Sequence, residues 1–242
     1  MGKNIAVIFA GGVGTRMHTK DKPKQFLELY GKPIIVYTVE TFQNCTAIDG
    51  LVVVCVEDWI PYMNELIYKY RLEKVRCVVP GGKTGQLSIF NGLRAAEKYY
   101  PDNDTIVLIH DGVRPLITQE LILENIRITR DKGSCITCSA AKETFILVNG
   151  ENVEVQDRSV SYFAKAPQTF YLPRILDAHR RSLENGYTNI IDSCTMMRMY
   201  DEKLSITLCG DDNIKVTTPD DYYIVKALMD ARENLQLKKD RS

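Results

Sequence analysis

The chain has no excess charge of either sign: 31 lysines and arginines stand against 31 aspartates and glutamates in 242 residues. That balance argues against bulk electrostatic binding to nucleic acid or an anionic membrane, leaving only local basic clusters open. No apolar run approaches the ~20 residues needed to cross a bilayer. The opening MGKNIAVIFAGG passes straight into a strand-like segment, so no secretory leader is expected. A disulfide or zinc framework is also missing. The seven cysteines are odd in number and scattered through apolar segments, as expected of reduced thiols in a cytoplasmic protein. Cys135 and Cys138 spell CxxC, yet SCITCSA reads as a strand without a redox helix or a second CxxC. Repeats, low-complexity tracts and Pro/Gly-rich linkers are absent too, so residues 1–242 are expected to form one domain. A chain of this length should bury ~70% of the surface its unfolded form exposes.

What is present is alternation. Segments 4–9, 51–57, 75–79, 105–109 and 135–140 are short, apolar and β-branched, as in strands buried on both faces of a parallel sheet. Amphipathic stretches at 33–42, 59–71, 86–99 and 118–132 separate them. This predicts right-handed βαβ units and an α/β, Rossmann-like, doubly wound, mostly parallel sheet. After Thr144 the pattern changes, because ILVNGENVEVQDR alternates about Asn149-Gly150, a strong hairpin signal. A hairpin has no place inside a parallel sheet. An arm over about 143–160 is therefore expected to protrude and to serve as a dimerisation arm; a surface flap is the plain alternative. A helix at 173–184, a strand at 204–209, a last helix from 219 to about 235 and a frayed KKDRS tail complete the reading. The tyrosine-rich stretches fall on helix patterns and read as packing. His110 reads as a packed, hydrogen-bonded histidine.

The first strand runs into Ala10-Gly11-Gly12-Val13-Gly14-Thr15-Arg16-Met17. Glycines here let backbone N–H groups approach a phosphate. A dinucleotide fingerprint needs a third glycine where Met17 stands; a Walker A loop ending at Gly82-Lys83-Thr84 needs a glycine where Cys77 stands. A third reading is a nucleoside-triphosphate loop of the nucleotidyltransferase kind, with Arg16 and Lys24 as two cations around the phosphates. The bland reading is a tight turn with two solvated cations. Asp111 ends an apolar strand at the edge where open α/β sheets bind ligands.

Five ordered motifs carry a resemblance: GGVGTRM, PKQFLEL with GKPIIVYT, HDGVRP from His110, APQTF from Ala166, and NIKVT from Asn213. Together they resemble the sugar-alcohol-phosphate cytidylyltransferases, a family that includes ribitol-5-phosphate and 2-C-methyl-D-erythritol 4-phosphate cytidylyltransferases. The resemblance spans residues 5 to about 225. It implies a Rossmann-like sheet and a homodimer in which a β-arm completes the neighbour's site. It also implies a cytoplasmic transfer of CMP from CTP to an alditol phosphate, with Mg2+ or another divalent cation and with neither nucleic acid nor membrane as partner. By this resemblance Arg16, Lys24 and Lys215 surround the triphosphate and are catalytic. Ala10, Gly11, Gly12, Gly14, Gly81, Gly82, Ser88 and Asp111 bind the nucleotide, with Gly81, Gly82 and Ser88 reading cytosine. Asp111, Arg114, Thr144 and Arg158 meet the acceptor, the last two from the partner's arm, and Asp111 is the candidate metal ligand. Two departures stand out: Ala166 replaces the threonine of the usual TPQ, and Ile191-Asp192 replaces a Thr-Asp pair. Both remove hydroxyls near the acceptor and favour D-ribitol 5-phosphate, for teichoic-acid or capsule polymers, over 2-C-methyl-D-erythritol 4-phosphate. A nucleotide-binding sensor and a dehydrogenase are the readings from other classes.

Overall fold

The computed structural model describes residues 2–11 and 22–239, with side chains as far as 234. Gly12, Gly14, Arg16 and the last three residues of the tail therefore lie outside the described residues. β1 (Asn4–Ala10) begins the sheet and is followed by the ribbon β2 (Glu28–Leu29) and β3 (Lys32–Pro33) and helix α1 (Ile34–Asn44). β4 (Gly50–Cys55), α2 (Ile60–Lys69), β5 (Val75–Pro80), α3 (Gly85–Tyr99), β6 (Ile106–Asp111), α4 (Gln119–Lys132) and β7 (Ser134–Ala140) continue the alternation. The hairpin β8 (Ile146–Asn149) and β9 (Asn152–Val155) precedes β10 (Tyr162–Tyr171), α5 (Leu172–Glu184), α6 (Ser193–Met199), β11 (Ile206–Leu208) and α7 (Pro219–Lys239).

The central sheet has the order β11-β7-β10-β6-β1-β4-β5, and β10 alone runs antiparallel to its neighbours. Strand residues alternate between two cores, as the pleat requires. Ala6, Ile8, Leu51, Val53 and Leu108 face α1, α2 and α4, whereas Ile5, Val7, Val52, Val54 and Val107 face α3, α5 and α6. Local signals start and stop the helices. Thr84 and Thr118 cap α3 and α4 by accepting from Leu87 and Leu121 N–H, and Gly133 ends α4 at φ +91°.

The expected doubly wound sheet is present, while the β2–β3 ribbon and α6 were not expected and three further differences stand out. β10 was not legible: its Pro167 argues against a central strand, and the ladder to β7 absorbs it by losing register between Ala164 and Gln168. β5 is half-exposed, because it lies at the sheet edge and has one neighbour. The last helix extends past 235, to Lys239. Gly150 takes φ +61° in the hairpin turn, and β8 and β9 form their own two-stranded sheet. Cys135 and Cys138 lie on β7; burial pushes their thiols up to about 12 and about 11, unsuited to redox work. No helix among the described residues is long and apolar enough to cross a membrane.

His110 on β6 packs against Phe42 at 5.2 Å between ring centroids, and His179 on α5 stacks on Phe90 at 5.5 Å. Contrary to expectation, neither ring nitrogen of His110 makes a hydrogen bond of normal geometry among the described residues. Burial pushes His110 down to about 3 and His179 down to about 4. Below about pH 6.5 the unfolded chain gains protons there that the folded chain refuses. Stability is thus full above that pH and falls toward pH 4, by about 1.4 kcal/mol per pH unit for each histidine. His179→Phe keeps an aromatic ring on Phe90 and should roughly halve this two-histidine contribution. Denaturant unfolding at pH 6.5, 5.5 and 4.5 measures it, and an unchanged slope would mean that His179 titrates normally in the fold.

Candidate active site

The strand order reverses at β1, with β4 and β5 to one side and β6 to the other. Open α/β sheets bind ligands outside the strand ends at such a point. Gly11 follows β1, Gly81 and Gly82 follow β5, and Asp111 ends β6. Gly81 N–H donates to the Cys55 carbonyl at the end of β4 (2.8 Å). A Cβ on Gly81 would touch Gly11 Cα at 3.4 Å and crowd Ser88 Oγ at 3.2 Å, so the serine would have to give way. Glycine therefore lets two backbones approach closely over β4, with the Gly81 and Gly82 amides both used to hold the loop. The Ser88 hydroxyl accepts from Gly82 N–H (3.0 Å) and donates to the Thr84 carbonyl (2.8 Å). Its single proton is spent on the Thr84 carbonyl, which shapes residues 81–82 and leaves one oxygen lone pair for the base it was expected to read.

Across the switch point, Asp111 is buried between two cations. Its Oδ1 lies 2.6 Å from Lys215 Nζ and its Oδ2 lies 2.7 Å from Arg114 Nε. Burial by itself would raise this carboxyl; Lys215 and then Arg114 overcome it and hold the group well below the usual carboxylate range. Arg114 Nη1 also donates to the Asn213 carbonyl (2.8 Å). Lys24 sits in the short 3-10 turn Lys24–Phe26, and its Nζ donates to the Val216 carbonyl (2.9 Å). The neighbouring Gln25 donates to the Ala10 carbonyl (2.6 Å), fixing this turn to the end of β1. Lys24, the Asp111–Arg114 pair and Lys215, from three distant stretches of sequence, thus converge.

A cleft of about 330 Å³ opens beside the cluster, with Phe9, Asp111, Arg114, Ala166, Gln168 and Lys215 in its wall. Lys165 and Asp192 line it as well; sequence reasoning missed Lys165, and placed the Ile191-Asp192 pair near the acceptor without giving Asp192 a role. Nothing in the sequence marked Lys165, whereas Asp192 carries the signal of a helix cap: its carboxylate accepts from Thr195 N–H at the start of α6. Gln168 and Asn213 were within recognised motifs but without a role. Thr144 and Arg158 are exposed at the base of the hairpin and are not in this cleft wall of their own chain; Arg158 Nη1 donates to the Lys142 carbonyl (3.3 Å). Asp111 does not fit the expected metal seat, because both its oxygens are taken by cations. Among the described residues no group of three or more His, Cys, Asp or Glu could hold a metal ion.

Glycine loops at one side of a switch-point crevice and a carboxylate-held pair of cations at the other fit a nucleotidyltransferase architecture. The comparisons sharpen that class. Residues 4–231 match the family model of IspD, 2-C-methyl-D-erythritol 4-phosphate cytidylyltransferase. A ribitol-5-phosphate cytidylyltransferase of Streptococcus agalactiae serotype III is 57% identical, covering 97% of this chain and 98% of that protein. One from Vibrio parahaemolyticus is 52% identical, covering 97% and 99%. The crystal structure of 4-diphosphocytidyl-2C-methyl-D-erythritol synthase from Anaerococcus prevotii superposes with a TM-score of 0.82 at 27% identity, covering 95% and 96%. The chain belongs to the IspD family of cytidylyltransferases, which are CTP-dependent nucleotidyltransferases.

Proposed function

We propose that the protein transfers CMP from CTP to D-ribitol 5-phosphate, giving CDP-ribitol and pyrophosphate. The observation that carries the chemistry is Asp111 held between Lys215 and Arg114 in the wall of the cleft. A phosphate oxygen of the acceptor attacks the α-phosphorus of CTP in line. A new P–O bond forms, the bond to the bridging oxygen breaks, and pyrophosphate leaves. A phosphate monoester is already anionic at neutral pH, so the step needs no general base. Positioning and charge neutralisation do the work. Lys215 and Lys24, with Arg16, would meet the charge that builds on the triphosphate, and the ion pair with Asp111 keeps Lys215 aimed. Arg114 spans the cluster toward the acceptor. Magnesium would enter with the nucleotide substrate and offset its phosphate charge, which suits an ion that favours substrate phosphates over an all-protein cage.

The choice of acceptor rests on two supports. The relatives at 57% and 52% identity are named for ribitol 5-phosphate, whereas one named for 2-C-methyl-D-erythritol 4-phosphate stands at 34%. Ala166 and Ile191, both in the cleft wall, offer no hydroxyl. CDP-ribitol would supply teichoic-acid or capsule synthesis. The setting is the cytoplasm, in keeping with seven free cysteines.

The working unit is a homodimer joined through the hairpin. Ile146 pairs with Val155 and Val148 with Val153, so four aliphatic side chains share one face, and all are more than half exposed. A second copy would cover them and bring Thr144 and Arg158 to the neighbouring cleft.

Cytosine presents an amino donor where uracil presents an acceptor, so fixed backbone groups of Gly81–Gly82 would be left unpaired by UTP. CTP should be preferred by at least ~100-fold. Pyrophosphate release from each of the four nucleoside triphosphates with ribitol 5-phosphate tests this, and comparable rates with UTP would contradict the base pocket. CTP binding with no pyrophosphate released from it in the presence of any alditol phosphate would make the protein a sensor.

A further inference from the structure

Asn213 is 3% exposed and its side-chain oxygen has no hydrogen-bond partner among the described residues. A buried unpaired acceptor costs stability, so this residue does not serve the fold alone. Its amide nitrogen donates to the Ala166 carbonyl (2.8 Å). That carbonyl lies in the stretch where β10 breaks register: Ala164 pairs with Cys138 and Gln168 with Ile136, so residues 165–167 stand opposite Thr137 alone. The extra residues form a bulge, a device that re-aims side chains beside active sites. Here Lys165 and Ala166 of the bulge line the cleft. The main chain of Asn213 works on the other side, its carbonyl accepting from Arg114 Nη1 (2.8 Å). Two residues on, Lys215 closes the ring through Asp111.

We propose that Asn213 is a positioning residue that clamps the β10 bulge to the segment carrying Lys215, so that the acceptor wall and the phosphate-binding lysine hold one geometry. This rests on the reading of the cleft as the cytidylyl-transfer site. The amide touches no reacting atom and acts through Lys215 and the bulge. Its loss should therefore be felt in turnover and in the acceptor's KM, while the glycine loops across the switch point still bind CTP.

A double-mutant cycle tests it. Asn213→Ala should lower kcat by about 10-fold, in the range for residues that orient a functional group, and raise KM for ribitol 5-phosphate. The Kd for CTP, measured calorimetrically, should stay within about 2-fold of wild type. In a Lys215→Ala background the same substitution should lower the residual kcat by less than about 2-fold, because contacts acting through one group are not additive. Asn213→Leu, similar in size but without the donor, should repeat the result and serves if the alanine variant folds poorly. Equal losses in both backgrounds, or a loss of CTP affinity in step with kcat, would overturn the inference. A wild-type protein that releases no pyrophosphate would instead overturn the functional reading and this inference with it.

Discussion

Replacing Lys215 by alanine is expected to lower turnover by at least ~100-fold, the usual effect of removing one donor aimed at developing transition-state charge. The same order is expected for Lys24→Ala and Arg16→Ala. Lys215→Ala has a second consequence. Asp111 is buried and its charge is balanced by Lys215 and Arg114 together. Taking one partner from a buried ion pair typically costs about 3–5 kcal/mol, here reduced because Arg114 remains. A group held below its ordinary range contributes stability at neutral pH that is lost as pH falls through its folded value. With Lys215 gone that value rises, so the loss should set in at higher pH than in the wild type. Steady-state kinetics at pH 7.5 with thermal unfolding across pH separates the two effects, and near-wild-type turnover would remove Lys215 from the chemistry.

Mixing Arg158→Ala subunits with Lys24→Ala subunits is expected to restore activity that neither variant has alone. Arg158 is exposed at the hairpin base and lies outside the cleft wall of its own chain, whereas Lys24 is bonded beside Lys215. If the hairpin of one subunit completes its neighbour's cleft, a mixed dimer holds one site with both cations. Random exchange makes half the dimers mixed, with one intact site in each, so recovery should approach about a quarter of the wild-type rate. Arg158→Ala by itself should raise the KM for the alditol phosphate much more than that for CTP. Absence of complementation after demonstrated subunit exchange would assign Arg158 to its own chain or to no role.

The parallel strands were legible because burial on both faces writes continuous β-branched runs, and the hairpin because Asn149-Gly150 sits between alternating residues. β10 was hidden by the residue that makes it useful: Pro167 reads as a strand breaker, and the bulge that accommodates it depends on tertiary contact with Asn213. α6 is too short to show a period, although Asp192 marks its start. At the site, the strand-end position of Asp111 was visible in the pattern, but the pairing of Asp111 with Lys215 was not, since 104 residues separate them. The glycine loops were visible as glycines. That the Ser88 hydroxyl is engaged within its loop followed only from the geometry of α3 packed beneath Gly82. Lys165 gave no signal, because a charged residue two positions before a proline reads as a loop.

The most direct test of the central claim is the ratio of kcat/KM for D-ribitol 5-phosphate to that for 2-C-methyl-D-erythritol 4-phosphate, with CTP saturating and the diphosphate product identified by 31P NMR. The relatives at 57% and 52% identity are named for ribitol 5-phosphate. A site that pairs every hydroxyl of one acceptor leaves a polar group unpaired when an analogue with one hydroxyl fewer enters, a loss of ~100-fold or more, so the proposed acceptor predicts a ratio above ~100 with CDP-ribitol as the product. A ratio near one, or preference for the methylerythritol phosphate, would contradict the account.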